Sequence, residues 1–342
     1  MPSGTAVTME EMTPKQEVNE LPNETLQIYA RLWQLETWLR RMVRVELMAL
    51  KGEAFGQDIR CHKKAFEADK TLHHMSTPEE DALSYAQFSE VKRLMLDNWE
   101  VFSTYLPPRN IWEAKLEEVM QIRHRVAHFR TCHKDDYSRV CQLLRDIDRG
   151  FWRFCTSYNQ TWGILPASSN PVSAEYMALD PFPWTETADK MWARLGSADP
   201  ALRVAVTVET TDRIWSVPQS SLNYPGRLYD VHFLARNQRQ FELIRLLEST
   251  QRLHRKAIFV CLDQFANGLR VTLPSVLGSQ QIIEILNSYL EACRSALTSA
   301  RDIPVNDMTV QRIADAWPEY ILGPSNPLAF LSPGMECSFF GA

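Results

Sequence analysis

The sequence lacks the cysteine pattern of a disulfide-stabilised protein. Its seven cysteines are an odd number, and no two of them form a Cys-x-x-Cys pair. Several fall within apolar helical patterns, which is typical of free thiols in a reducing compartment. We therefore expect a cytoplasmic protein without a disulfide framework.

Long apolar runs and an excess of basic charge are also missing. No apolar run approaches the ~20 residues that a membrane-spanning helix needs, so we expect no membrane association. Residues 1–22 have neither a basic start nor an apolar core, which predicts a mobile polar segment instead of a secretory signal. Basic residues number 37 against 42 acidic ones, a net charge of −5. This balance excludes a protein that coats nucleic acid broadly, so any contact with nucleic acid has to be local.

Apolar spacing divides the rest of the chain into three parts. Residues 23–156 carry apolar side chains at intervals of three and four, which predicts an all-α bundle of four or five helices. Residues 157–200 are rich in proline and aromatic residues and are interpreted as a connector. Residues 201–342 alternate strand and helix patterns, which predicts a smaller α+β domain. Its clearest strands are "ALRVAVTVE" and a pair about the turn at Asn267-Gly268.

One predicted core helix ends in an unusual concentration of basic and imidazole side chains, "QIRHRVAHFRTCHKDD", residues 121–136. His124 and His128 are four residues apart and share a helix face. Paired imidazoles beside a guanidinium suit phosphodiester cleavage. One imidazole can accept a proton, another group can return one, and an arginine can stabilise the charge on the phosphate. Arg123 and His128, however, lie about 140° apart on a straight helix, so one chain does not bring them onto one face.

Each of these residues also has a structural interpretation. Arg123 continues a buried stripe and is placed to pair with a helix carboxylate such as Glu36. His124 fits a solvated surface position, and a cationic His128 is favourable at a helix C-terminus. Two histidines at this spacing also bind metal ions, but the zinc-protease glutamate between them is absent, and we predict no metal or cofactor.

The segment "IRHRVAHFR" is similar to the R-x(4–6)-H signature of the HEPN superfamily of nucleotide-binding helical domains, many of which are metal-independent RNA endonucleases. The likeness extends over the helical region and includes "IYARLWQLETWLRRMVRVEL", "IWEAKLEEVMQIRHRVAHFR" and "DDYSRVCQLLRDID". Arg123 matches the arginine of the motif and His128 its histidine. His124 departs from the pattern, since that position is most often Asn or another polar residue.

This resemblance implies a function and a set of site residues. It implies an HEPN-like bundle that acts as a homodimer, with both motifs facing one cleft that RNA enters. The ribose 2′-hydroxyl then attacks the phosphate, leaving a cyclic phosphate and a 5′-hydroxyl. We expect His128 as the principal acid/base group, Arg123 as the phosphate-stabilising group and His124 as an auxiliary. The neighbouring residues expected to contact RNA are Arg125, Arg130, His133 and Lys134.

The resemblance does not reach residues 201–342. A toxin or phage-defence effector would use such a domain to select substrate or to respond to an antitoxin or activating partner, and this is our expectation. The cluster "RLHRK", Arg252–Lys256, could grip phosphates but fits a solvated helix end better. His232 lies on an alternating strand and is interpreted as a packed or surface histidine. The alternative function is a non-catalytic helical dimer that binds a nucleotide or a protein partner, and a zinc-dependent hydrolase is a third possibility.

Overall fold

A computed structural model of the chain describes residues 23–60, 62–74, 81–157, 164–196, 199–263, 265–299, 311–313, 334–335 and 337–342. An N-terminal helical region is followed by a region that contains antiparallel sheets. This confirms the predicted order of a helical part and a mixed part. The segment predicted to be mobile, residues 1–22, lies outside the described residues, as does Cys61.

The helical region follows the apolar stripes. Its helices are α1 (Asn23–Lys51), α2 (His62–Lys70), α3 (Phe88–Asp97), α4 (Trp99–Phe102), α5 (Arg109–Ala127) and α6 (Asp136–Thr156). Apolar side chains recur at helical spacing from Phe88 to Phe102, which predicts a single helix to about Leu106. The helix is instead broken at Asn98, whose φ and ψ of −123° and 37° are not helical. Buried side chains of α1, α3, α5 and α6 share one core, so α1 packs against the other long helices of the bundle.

Residues 164–196 contain more structure than a plain connector. They form the short helix α7 (Pro171–Tyr176) and an antiparallel hairpin of β1 (Trp184–Glu186) and β2 (Trp192–Arg194). Asn170 caps α7, since its side-chain oxygen accepts a hydrogen bond from the backbone N–H of Ser173. The interpretation of this segment as a connector therefore missed a capped helix and a hairpin.

The second region is built on a four-stranded antiparallel sheet in the order β3-β4-β7-β6. Its strands are β3 (Val204–Asp212), β4 (Arg227–Ala235), β6 (Phe259–Leu262) and β7 (Gly268–Pro274), and β5 (Arg239–Phe241) pairs with β8 (Leu297–Ser299). Helices α8 (Leu243–His254) and α9 (Ser279–Ser295) cover the apolar face of the four-stranded sheet and form a second core with it. The predicted strand pair about Asn267-Gly268 is confirmed as β6 and β7.

The two regions contact each other through α1. The backbone N–H of Gly226 donates to the carbonyl of Ala49 over 2.9 Å, and Leu228 and Ile258 belong to the core of the helical region. A buried ion pair joins Glu46 of α1 to Arg213, which follows β3. Of the described helices, none is both long and apolar enough to span a membrane.

Candidate functional site

The basic stretch lies where α5 ends. The N–H of Phe129 donates to the carbonyl of Val126 over 3.1 Å and that of Arg130 to the carbonyl of Arg125 over 2.9 Å. These two bonds define a Schellman motif, which satisfies carbonyls at the end of a helix. Phe129 has a φ of +54°, the left-handed region that favours glycine, and 94% of its side chain is exposed. The helix therefore ends in a tight turn that holds an aromatic ring out in solvent.

Arg125 fixes the loop that follows this turn. Its Nε donates to the buried carboxylate of Asp136 over 3.2 Å, and the same carboxylate accepts the backbone N–H of His133 over 2.9 Å. Arg125 neutralises a buried acid at the start of α6, so its guanidinium joins α5 to α6. Contact of Arg125 with RNA stays a prediction.

The other predicted RNA-binding residues remain accessible. Arg130, His133 and Lys134 are exposed in the loop between α5 and α6. Within the part of the chain that the structure describes, none of their side chains has a hydrogen bond or an ion pair. They follow Phe129 in the chain, so the loop carries exposed cationic and imidazole groups as well as an exposed aromatic ring.

Arg123 points to the opposite side of α5 and pairs with α1. Its Nε lies 2.9 Å from the Glu36 carboxylate, and 34% of its side chain remains exposed. Glu36 also pairs with Arg40, and Arg40 donates to the backbone carbonyls of Leu83 and Ala86. From the sequence alone, a pair between Arg123 and Glu36 remained open as the structural interpretation of Arg123. With Arg40 on its other side, the Glu36 carboxylate lies between two guanidinium groups.

This cluster lines a groove of about 410 Å³ between α1 and α5. Arg123, Val126 and Ala127 line it from α5, and two aromatic residues, Tyr29 and Trp33, line it from α1. Tyr29 is 59% exposed and Trp33 63% exposed. Sequence reasoning missed both as site residues, although their four-residue spacing places them together on one helix face, with Arg40 a further seven residues on.

His124 and His128 lie side by side at the surface. Their ring centroids are 6.5 Å apart and their planes differ by 13°, and both residues are exposed. Among the described residues, neither imidazole has a hydrogen bond or an ion pair, and neither belongs to the lining of the groove. The structure thus pairs the two histidines with each other. It does not bring either of them into contact with Arg123 within one chain, as the 140° separation predicts.

A second polar cluster lies on the face of the sheet that α8 and α9 leave uncovered. Arg270 donates through Nε to Asp230 over 2.8 Å, and the Nε2 of His232 lies 3.8 Å from the same carboxylate. Burial alone would raise the pKa of Asp230, but the nearby His232 and Arg270 side chains lower it. Burial raises the pKa of Glu209, the cross-strand neighbour of Asp230. His232 is half-exposed beside an acid, in accord with a surface histidine.

The basic cluster at the end of α8 is divided between surface and core. Arg252 and Arg255 are exposed, and Arg255 lies 3.8 Å from Glu53. His254 is buried and hydrogen-bonded to the hydroxyl of Thr250 over 3.0 Å. The cluster therefore does not present a continuous cationic surface.

The chain matches no protein-family model, no curated protein and no solved structure at a significant level. Function is therefore inferred from the geometry of the residues around the end of α5.

Proposed function

We propose that the chain is a metal-independent RNA endonuclease of the HEPN type, which cleaves RNA by attack of the ribose 2′-hydroxyl. The observation that carries the proposal is the pair of exposed, parallel imidazoles of His124 and His128, which are 6.5 Å apart and have no hydrogen bond or ion pair among the described residues. Imidazoles buried for packing acquire partners, whereas a reacting group needs an accessible and uncommitted nitrogen.

His128 acts as the principal acid/base group in this mechanism. It takes the proton of the 2′-hydroxyl as the oxygen bonds to phosphorus, and a second group, His124 or its equivalent in a partner chain, protonates the departing 5′-oxygen. The P–O5′ bond breaks and a 2′,3′-cyclic phosphate remains. Imidazole groups carry out both proton transfers, so the step requires no metal ion.

Arg123 supplies positive charge to the phosphate. Its guanidinium remains partly accessible in the groove, while Glu36 holds it in one orientation. A pre-oriented cation costs little reorganisation when charge builds up on the phosphate oxygens. The exposed rings of Tyr29 and Trp33 offer stacking surfaces for unpaired bases beside it.

A homodimer completes the site. Arg123 faces α1 while the imidazoles face solvent, so a second copy is needed to bring the arginine of one chain and the imidazoles of the other around one phosphate. Several exposed apolar side chains are candidates for the subunit contact, namely Leu26, Tyr29 and Trp33 on α1 and Phe129 in the turn after α5. The three on α1 recur at intervals of three and four, so they share one exposed helix face, and exposed apolar surface is typical of an interaction site.

The test is cleavage of total RNA by nuclease-free protein in EDTA, followed by analysis of the product ends. We expect cyclic phosphate and 5′-hydroxyl ends. His128→Ala should lower the rate by about 10²-fold or more, the usual contribution of an acid/base group. Arg123→Ala should lower it by a similar factor. His73→Ala removes another exposed histidine and serves as the matched control. Undiminished cleavage by the His128→Ala, Arg123→Ala double variant would reject the assignment.

A second candidate function is supported by the groove itself. A volume of about 410 Å³ falls within the range of small-molecule sites, and the combination of Trp33 with Arg123 fits the base and phosphate of a nucleotide. In that case the protein binds a nucleotide without cleaving RNA. Calorimetric titration with nucleotides separates the two, because Trp33→Ala would then abolish binding while His128→Ala would leave it unchanged.

A further inference from the structure

A short segment far along the chain occupies a groove on the other side of α1. Residues 337–342 lie between α1 and α6, and Phe340 is only 3% exposed and belongs to the core of the helical region. Among the described residues, no backbone–backbone hydrogen bond joins this segment to the rest of the fold. It is therefore held in the way a bound peptide is held, and not as a strand of a sheet.

Two side chains recognise the backbone of the segment. The carboxylate of Asp148, on α6, accepts the N–H of Phe339 over 2.8 Å and that of Phe340 over 2.7 Å. It also accepts the hydroxyl of Ser338 over 3.2 Å. From α1, Arg31 donates to the carbonyl of Phe340 over 2.9 Å and to that of Gly341 over 3.1 Å. Charge-assisted bonds to four backbone groups fix the direction and register of the segment.

Aromatic contacts supply the sequence preference. The ring of Phe339 meets Trp38 edge to face, with centroids 4.7 Å apart, and stacks on Phe151 at 5.7 Å. Phe340 contacts Phe151 edge to face at 5.1 Å. Gly341 has a φ of +59°, which only glycine adopts without strain. These features require two adjacent aromatic residues followed by glycine.

We propose that the groove between α1 and α6 is a peptide-binding site for a bent Ser-Phe-Phe-Gly sequence, whose glycine N–H donates back to the serine hydroxyl, and that residues 338–341 are its ligand within the same chain. Backbone recognition by Asp148 and Arg31 does not depend on which chain supplies the peptide. A peptide of this sequence presented by another protein therefore fits the same groove when the internal segment is withdrawn. The groove is an interaction surface whose occupant is an aromatic peptide.

The direct experiment uses a chain that lacks residues 337–342 and a fluorescently labelled peptide of those residues with Cys337→Ser. Fluorescence anisotropy should show saturable one-to-one binding. Asp148→Ala or Arg31→Ala in the shortened chain should weaken it about tenfold or more, as should Phe340→Ala in the peptide. Asp146→Ala is the matched control, because Asp146 lies on the same helix but pairs with Lys115. Equal binding of a scrambled peptide, or no binding by a shortened chain that still melts cooperatively, overturns the proposal.

The full-length chain provides a readout that does not depend on folding of the shortened form. In wild-type protein the amides of Phe339 and Phe340 should be protected from hydrogen exchange, because both donate to Asp148. In the Asp148→Ala chain we expect protection to be lost in residues 337–342 alone. Loss that spreads through α1 and α6 would show that the segment is an integral part of the bundle and would overturn the proposal.

Discussion

The largest single loss of stability that we predict comes from the buried ion pair between the helical region and the sheet. Arg213 is 1% exposed, and its Nε lies 3.1 and 3.2 Å from the two carboxylate oxygens of Glu46. Trp215 donates to the same carboxylate over 2.6 Å, and Arg213 donates further to Ser157 over 2.7 Å and to Tyr105 over 3.1 Å. Glu46→Ala leaves a guanidinium buried without a counter-charge, which costs about 3–5 kcal/mol.

Urea unfolding followed by circular dichroism measures this change in the free energy of unfolding. The matched control is Asp58→Ala, which breaks an exposed 2.9 Å pair with Lys51 at the end of the same helix and should cost less than about 1 kcal/mol. Replacing both buried partners together, Glu46→Met with Arg213→Met, removes the unpaired charge and should cost less than either single change.

Two results would refute this reasoning. One is a cost for Glu46→Ala that equals the cost of the surface control, since the carboxylate would then not be compensating a desolvated charge. The other is a double variant whose cost equals the sum of the two single variants. Simple addition is the behaviour of residues that do not interact, whereas a buried pair has a coupling free energy.

Three further predictions concern single positions. Burial lowers the pKa of His254 to about 4. Below a pH of about 6.5 the imidazole takes up a proton in the unfolded chain but not in the folded one, so the free energy of unfolding falls by about 2 kcal/mol between pH 7 and pH 5. His254→Gln should flatten this pH dependence when it is measured by urea unfolding. Phe129→Gly should raise the free energy of unfolding by about 0.5–1 kcal/mol, because the exposed ring contributes little burial while the backbone φ of +54° is strained for phenylalanine. A decrease in the free energy of unfolding would contradict this. Gly150→Ala should lower the melting temperature and reduce the free energy of unfolding by about 1–3 kcal/mol, because the new Cβ would lie 1.7 Å from the carbonyl oxygen of Tyr105. Gly56→Ala serves as the control, since a Cβ at position 56 meets no atom within 4 Å.

The elements that were predicted correctly are those with a complete local signal. The stripe of α1 places Leu32, Leu35 and Leu39 on its buried side, and all three are buried. The alternation of apolar residues in β3 likewise indicates which face of the strand is buried, because all side chains on one face of a strand share one environment. By contrast, β1 and β2 are three residues each, too short for any period to be visible. The break at Asn98 was missed because the apolar spacing continues through it.

The candidate site was only partly predictable for a different reason. The spacing of His124 and His128 fixes their proximity, since His124 lies in the last turn of α5 and His128 caps the C-terminus of that helix. The partners of Arg123 and Arg125 come from α1 and α6, and a sequence gives a choice of carboxylates without selecting among them. Glu36 was weighed for Arg123, but Asp136 was not foreseen for Arg125. The exposure of Trp33 could not be predicted from its spacing either, because which side of α1 is covered depends on where α5 and α6 lie.

The buried pair also constrains how the sheet region can influence the proposed nuclease site. Moving the sheet region away from α1 would separate Arg213 from Glu46 and leave both charges without their partner, at a free-energy cost of about 3–5 kcal/mol. At that cost fewer than about one molecule in a hundred is open without a ligand. A partner that regulates the site by separating the two regions must therefore bind the open form more tightly by at least that free energy. A partner that acts on the exposed groove, or on the segment held by Asp148 and Arg31, faces no such barrier. Regulation without separation of the two regions is the expectation that follows from the structure.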